Sequence, residues 1–123
     1  MDIKEIFIGN YVSIYNKAIL VDDETISKLK IYESKDLKPI NITDEWLINF
    51  GFSKEVETVD TSYYRLNTKN YKFEILIHKF KAEYLSVYDD KDELQEHFLE
   101  HTLKIHTLQN VFMKWVGEML YKI

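Results

Sequence analysis

The chain has 123 residues, 46% of them hydrophobic, and its 16 Lys and Arg against 21 Asp and Glu leave a formal net charge of −5. That length suits one domain, residues 1–123, with a core of its own, and the acidic balance excludes a nonspecific nucleic-acid coat protein, which needs a basic excess. With no Cys, one Pro and three Gly, a disulfide framework, a thiol nucleophile, a thiolate metal site and low-complexity linkers drop out.

The aromatic share is high, with nine Tyr, seven Phe and two Trp. Such rings suit sheets and binding faces, because they offer large area with a polar tip. The opening MDIKEIF has no basic region followed by an apolar run, so no secretory signal is expected. No stretch approaches the roughly 18 apolar residues of a membrane span, and a cytoplasmic protein is the expectation.

The first third alternates like sheet. Residues 6–15 (IFIGNYVSIY) set Gly9-Asn10 inside a run of β-branched and aromatic residues, where Gly9 permits a bulge or tight bend. A second strand is expected in KAILVD. A third is expected in SKLKIYES, where Leu29 and Ile31 stand between lysines, and Asp22-Asp23-Glu24 reads as the turn between the two.

Residues 39–52 (PINITDEWLINFGF) carry a helix with both of its signals. Thr43 is placed to cap it, Asp44 and Glu45 put negative charge on its positive end, and Gly51 takes the left-handed position that ends it. Phe52 then folds back on Leu47. Two turns are too short to persist alone in water, so Trp46, Leu47 and Phe50 are expected to hold the helix by packing into a core.

Two strands follow. Residues 71–80 put Tyr71, Phe73, Ile75 and Ile77 on one face, residues 82–89 alternate likewise, and RLNTKN (65–70) reads as the turn that feeds them. In the tail, a strand is expected over 102–106. A helix then runs from about Leu108 to Tyr121, capped by Thr107, with Leu108, Val111, Phe112, Trp115, Met119 and Leu120 as one apolar stripe. The fold class is therefore α+β: a mainly antiparallel sheet of five or six strands, a short central helix and a longer C-terminal helix.

Three blocks, FIGNYV, LKPINITDEWLINFGF and HTLQNVFMKWVGEML, resemble a family of small uncharacterised proteins carried by phages, prophages and other mobile elements. The chain departs from that pattern in a longer charged region around 89–100. The family brings no catalytic residues to carry over. The resemblance implies a mobile-element context, in which small acidic proteins often inhibit host or rival machinery.

Three constellations bear on function. HFLEH (97–101) matches the H-x-x-E-H pattern of inverted zinc peptidases, in which His97 and His101 would hold the metal and Glu100 would be the base of a hydrolase. That chemistry needs both His on one helix face and a third ligand from His106 or Glu118, so solvated surface His is the plainer account and no metal or other cofactor is expected. DDKDELQE (89–96) lacks the central Gly of a calcium loop. Its carboxylates, Asp89, Asp90, Asp92, Glu93 and Glu96 with Glu100 beyond, form a cluster that would meet a basic groove on a partner. Just upstream, Arg65, Lys69, Lys72, Lys79 and Lys81 interleave with Tyr71, Phe73 and Phe80, close after Tyr63 and Tyr64. Basic residues among aromatics on a sheet build many RNA-binding surfaces, and lysines guarding a sheet edge are the ordinary alternative.

The expected function is a non-enzymatic protein of phage or prophage origin that inhibits a host defence nuclease by direct binding. An RNA-guided (CRISPR-type) nuclease or its ribonucleoprotein is the concrete partner. An RNA-binding module built on residues 65–81 is the alternative.

Overall fold

Eight strands and three α-helices make up the fold, in a computed structural model that describes residues 3–31 and 37–123. The strands divide into two antiparallel sheets. A small one has the order β2-β1-β3, from β1 (Tyr11–Ile14), β2 (Lys17–Leu20) and β3 (Leu37–Lys38). The larger is a five-stranded meander of β4 (Ser53–Glu57), β5 (Thr61–Asn67), β6 (Tyr71–His78), β7 (Lys81–Asp89) and β8 (Leu94–Leu99), in which each strand pairs with the next in sequence. Helix α1 (Asp23–Ile31) follows the first hairpin, α2 (Asp44–Asn49) joins the two sheets, and α3 (Ile105–Val116) follows the large sheet. This is an α+β fold.

The central helix forms as its signals require. The Thr43 hydroxyl accepts from the Trp46 amide at 3.3 Å, Gly51 sits at φ +96°, and the Phe52 amide returns to the Leu47 carbonyl at 2.9 Å. Leu47 and Phe50 are fully buried, and Trp46 packs between Phe50 and Tyr11 with ring centroids 5.6 and 5.1 Å away. The aromatic pair is a core peg.

Elsewhere tertiary structure overrides local pattern. Most of SKLKIYES is helix: Asp22 accepts from the Thr25 amide at 2.7 Å, so the expected turn is an N-cap and α1 runs to Ile31. The rest of that expected strand, residues 32–34, lies outside the described residues. RLNTKN is only half a turn, because β5 continues through Asn67. The strand expected at 102–106 lies earlier, at Leu94–Leu99, and Glu100–Thr102 form a 3-10 turn.

Helix α3 begins at Ile105, not Leu108. Thr107 still caps it, from the third helical position, by accepting from the Lys104 amide at 2.7 Å. It stops at Val116, short of Tyr121, because Gly117 adopts φ +84° and returns its amide to the Met113 carbonyl. Met119 and Leu120 therefore belong to the tail that follows.

Two polar residues of α3 bind the small sheet to the rest. Gln109, fully buried, accepts from the Tyr11 amide at 2.8 Å and donates to the carbonyls of Gly9 at 2.9 Å and Leu120 at 2.8 Å. Asn110 accepts from the Asn10 amide group at 2.9 Å. Gly9 is needed at this clasp, for its φ is +96° and a Cβ there would come within 2.8 Å of the Tyr121 hydroxyl.

Candidate docking surface

Paired residues of antiparallel neighbours share a face, so the register of the large sheet sorts its side chains into two sets. One set holds Tyr64, Phe73, Ile75, Ile77, Ala82, Leu85 and Val87, which are all the buried apolar residues of these strands. Helix α3 covers that face, stacking Phe112 on Phe73 and Trp115 on Tyr71 with ring centroids 5.0 and 5.4 Å apart.

The other face carries no helix among the described residues. The pairs Val56↔Tyr63, Tyr63↔Leu76, Leu76↔Tyr84 and Tyr84↔Leu99 draw one apolar and aromatic row across all five strands. Its outer members are open, Val56 at 57% and Leu99 at 56% of full exposure, and the three inner ones are half-buried.

A second row lies beside it. Arg65 pairs with Glu74, Glu74 with Ser86 and Ser86 with His97. The guanidinium of Arg65 forks onto one Glu74 oxygen at 2.9 and 3.2 Å, and the Ser86 hydroxyl meets Nδ1 of His97 at 2.7 Å. The His97 ring stands 5.3 Å from that of Tyr84. Lys72 and Tyr88 form a third row, and Lys72 is paired with Asp92 of the β7–β8 turn. Arg65, Glu74, Ser86, His97 and Lys72 thus find partners within their own row or the adjoining turn, beside the tyrosine row.

Desolvation within this face, followed by the Glu74 carboxylate, pushes the Tyr63 phenol up to about 12. Desolvation raises Tyr84 as well. Both hydroxyls are therefore neutral at any physiological pH, available to donate and to accept.

The residues singled out from the sequence separate in space. Tyr64 points inward, 1% exposed, and donates to Asp44, because its register partner is Ile75 of the core face. Tyr63 and Arg65, its neighbours, point outward. Lys79 lies in the β6–β7 turn and Lys69 in the β5–β6 turn, at opposite ends of the sheet, so the basic segment forms no continuous patch. Lys81 sits at the foot of the open face, 4.0 Å from Glu100.

The acidic segment is likewise divided. Asp89 accepts from the Lys91 and Glu93 amides, both at 2.9 Å, to shape the β7–β8 turn. Asp92 faces Lys72, and Glu96 binds Lys114 and the Trp115 indole, each at 2.6 Å, on the covered side. Asp90 and Glu93, like the turn-forming Asp89, are in no ion pair with a cation of the described residues.

His97 stands on strand β8 and His101 in the 3-10 turn, so the helical spacing of the zinc-peptidase pattern is not realised. His106 is sealed beneath Glu5. Among the described residues no three His, Asp or Glu converge to hold a metal ion. Sequence reasoning missed the central part of the open face, Leu76 and Tyr84. Its trace was the alternation in AEYLSVYD, which sets Tyr84, Ser86 and Tyr88 on one side without saying which side faces solvent.

Among the described residues no helix is long and apolar enough to cross a membrane. No protein-family model, no curated protein and no solved structure matches this chain.

Proposed function

We propose that this chain is a non-enzymatic binding protein, encoded on a mobile element, that inhibits a host defence nuclease by docking the open face of its large sheet onto it. The row Val56, Tyr63, Leu76, Tyr84 and Leu99 carries this reading. Tyr and Arg are the residues that dominate binding energy in protein interfaces, above all where apolar neighbours exclude water around them. Arg65, held flat by Glu74, adds a pre-oriented group at the margin.

The partner is an RNA-guided nuclease in the bacterial cytoplasm. Support for that identity is the resemblance of the three sequence blocks to mobile-element proteins, together with the acidic turn at Asp90 and Glu93, whose charge suits a nucleic-acid channel. The test is inhibition of target cleavage by the host's purified nuclease, with Tyr84→Ala and Leu76→Glu as variants. The expected result is inhibition by the parent chain and its loss, about tenfold or more in affinity, in both variants. Unchanged cleavage at saturating protein overturns the nuclease as partner, and unchanged inhibition by both variants overturns the face.

A second reading places single-stranded RNA on the same face, with Tyr63, Tyr84 and Tyr88 stacking bases beside Arg65, Lys72 and Lys81. It is the weaker of the two, since Arg65 and Lys72 are already engaged by Glu74 and Asp92. It predicts affinity that falls steeply with salt, and absence of binding to an oligouridine at low salt disposes of it.

A further inference from the structure

The large sheet ends on two free edges, and they are built differently. Edge strand β4 is exposed along its whole length, carries Lys54, Glu55 and Glu57, and is kinked by a bulge between Lys54 and Val56. Those are the devices that stop an edge from accepting another strand. Edge strand β8 is bulged as well, but only near its start, where Leu94 and Glu96 pair with the adjacent residues Tyr88 and Val87; it carries an apolar residue at each end, Leu94 and Leu99, both more than half exposed. Among the described residues nothing pairs with its outer side.

At the Phe98 end of β8, on the covered side, lies a largely apolar groove of about 380 Å³ between the strand and α3, lined by Phe7, Phe98, Leu103, Thr107 and Val111. A strand added to β8 would lie about 4.8 Å further out, and its inward side chains would stand over this groove. Phe98, paired with Leu85 on the covered face, marks where they would enter.

Charge selects the occupant. Asp90 and Glu93 stand at one end of β8 and Glu100 at the other, where Lys81 is 4.0 Å away in an exposed pair that screens it little, while Glu96 is taken up by Lys114 and Trp115. A second copy of this chain would bring those carboxylates against their own kind, and like charges across a ladder are destabilising.

We propose that β8 is a strand-addition site for an extended segment of another protein, with alternating apolar side chains and lysine or arginine at its ends. Main-chain hydrogen bonds to the β8 edge supply affinity, the groove selects the apolar side chains, and the acidic ends select the basic ones. Apart from Leu99, which also ends the tyrosine row, the site uses side chains outside that row, and it stands whether or not the open face binds a nuclease.

The probe is an amidated peptide of alternating valine and threonine with two lysines at each end, titrated into the full chain and followed by amide chemical shifts and hydrogen exchange. Binding is expected to slow exchange at the β8 amides that face away from β7. Methylating the peptide's alternate backbone nitrogens on its pairing side should abolish it. Thr102→Trp, at an exposed position on the groove wall, should block it, and Glu93→Lys combined with Glu100→Lys should weaken it about tenfold at low salt. No binding at about 1 mM peptide, equal binding of the methylated peptide, or shifts centred on Tyr63 and Tyr84 instead of β8 would each overturn the proposal.

Discussion

The two faces of the large sheet are made by the same strands, yet each puts its tyrosine and leucine to opposite use. The covered face spends Tyr64, Phe73, Ile75 and Leu85 on contact with α2 and α3 and leaves almost nothing exposed. The open face sets Tyr63, Leu76 and Tyr84 one register step away and leaves them half-buried, with no partner element among the described residues. The presence of tyrosine and leucine does not distinguish the faces. Parity does, and a one-residue slip of any strand would exchange them.

The sharpest way to break that contrast is to truncate one ring on each side. Phe73→Ala should cost about 3–5 kcal/mol, because it leaves a cavity beneath Phe112. Tyr84→Ala should cost under about 1 kcal/mol, as at other surface sites. Urea denaturation of the two variants reads both, and equal losses would mean that the open face is structural after all.

The next largest effect concerns the clasp on the small sheet. Gln109→Leu keeps the volume but strips partners from the Tyr11 amide and the carbonyls of Gly9 and Leu120, so a loss of about 3 kcal/mol is expected. Hydrogen exchange should accelerate in β1 and β2 far more than in β6 and β7. A uniform acceleration would show that the two sheets unfold as one unit.

His106 adds a pH dependence to the same junction. Its ring is 2% exposed, and Nε2 lies 3.5 Å from Glu5, too far for a good hydrogen bond. Burial holds its pKa below the ordinary 6.5, against the opposing pull of Glu5 and in concert with Lys104. Between the lowered value and 6.5 the unfolded chain binds more protons, so stability is complete above pH 6.5 and falls as pH drops through that window. Thermal denaturation from pH 8 to pH 5 should show the decline, and His106→Gln should flatten it.

Loss of the Thr43 cap is the smallest of these effects. Thr43→Ala should cost about 1 kcal/mol, read as a modest drop in urea midpoint with the slope unchanged.

What could be read without coordinates follows physical locality. The α2 helix was legible to the residue because each of its signals, Thr43, Gly51 and the Leu47–Phe52 return, lies within nine positions. The β6 and β7 strands were legible because alternation is a strand's own property. The α1 segment was misread because Leu29 and Ile31 alternate with lysines over too few residues to tell a period of two from one of 3.6, whereas the capping of Thr25 by Asp22 decides it. The tail was misread for the opposite reason: β8 exists only because β7 offers it a ladder. The open face was half legible. Alternation announced two sides, and only the docking of α3 reveals which one stays bare.

The Gln109 clasp has a consequence in time. Each hairpin of the large sheet closes between neighbours in sequence, so it can form soon after it is made. The small sheet's anchors lie about a hundred residues downstream of it. On a ribosome, the small sheet therefore emerges well before the residue that fastens it, and until Gln109 is made the Tyr11 amide and the Gly9 carbonyl lack their partner. Tethering the nascent chain just short of Gln109 should leave β6 and β7 resistant to protease while β1 and β2 are still cut.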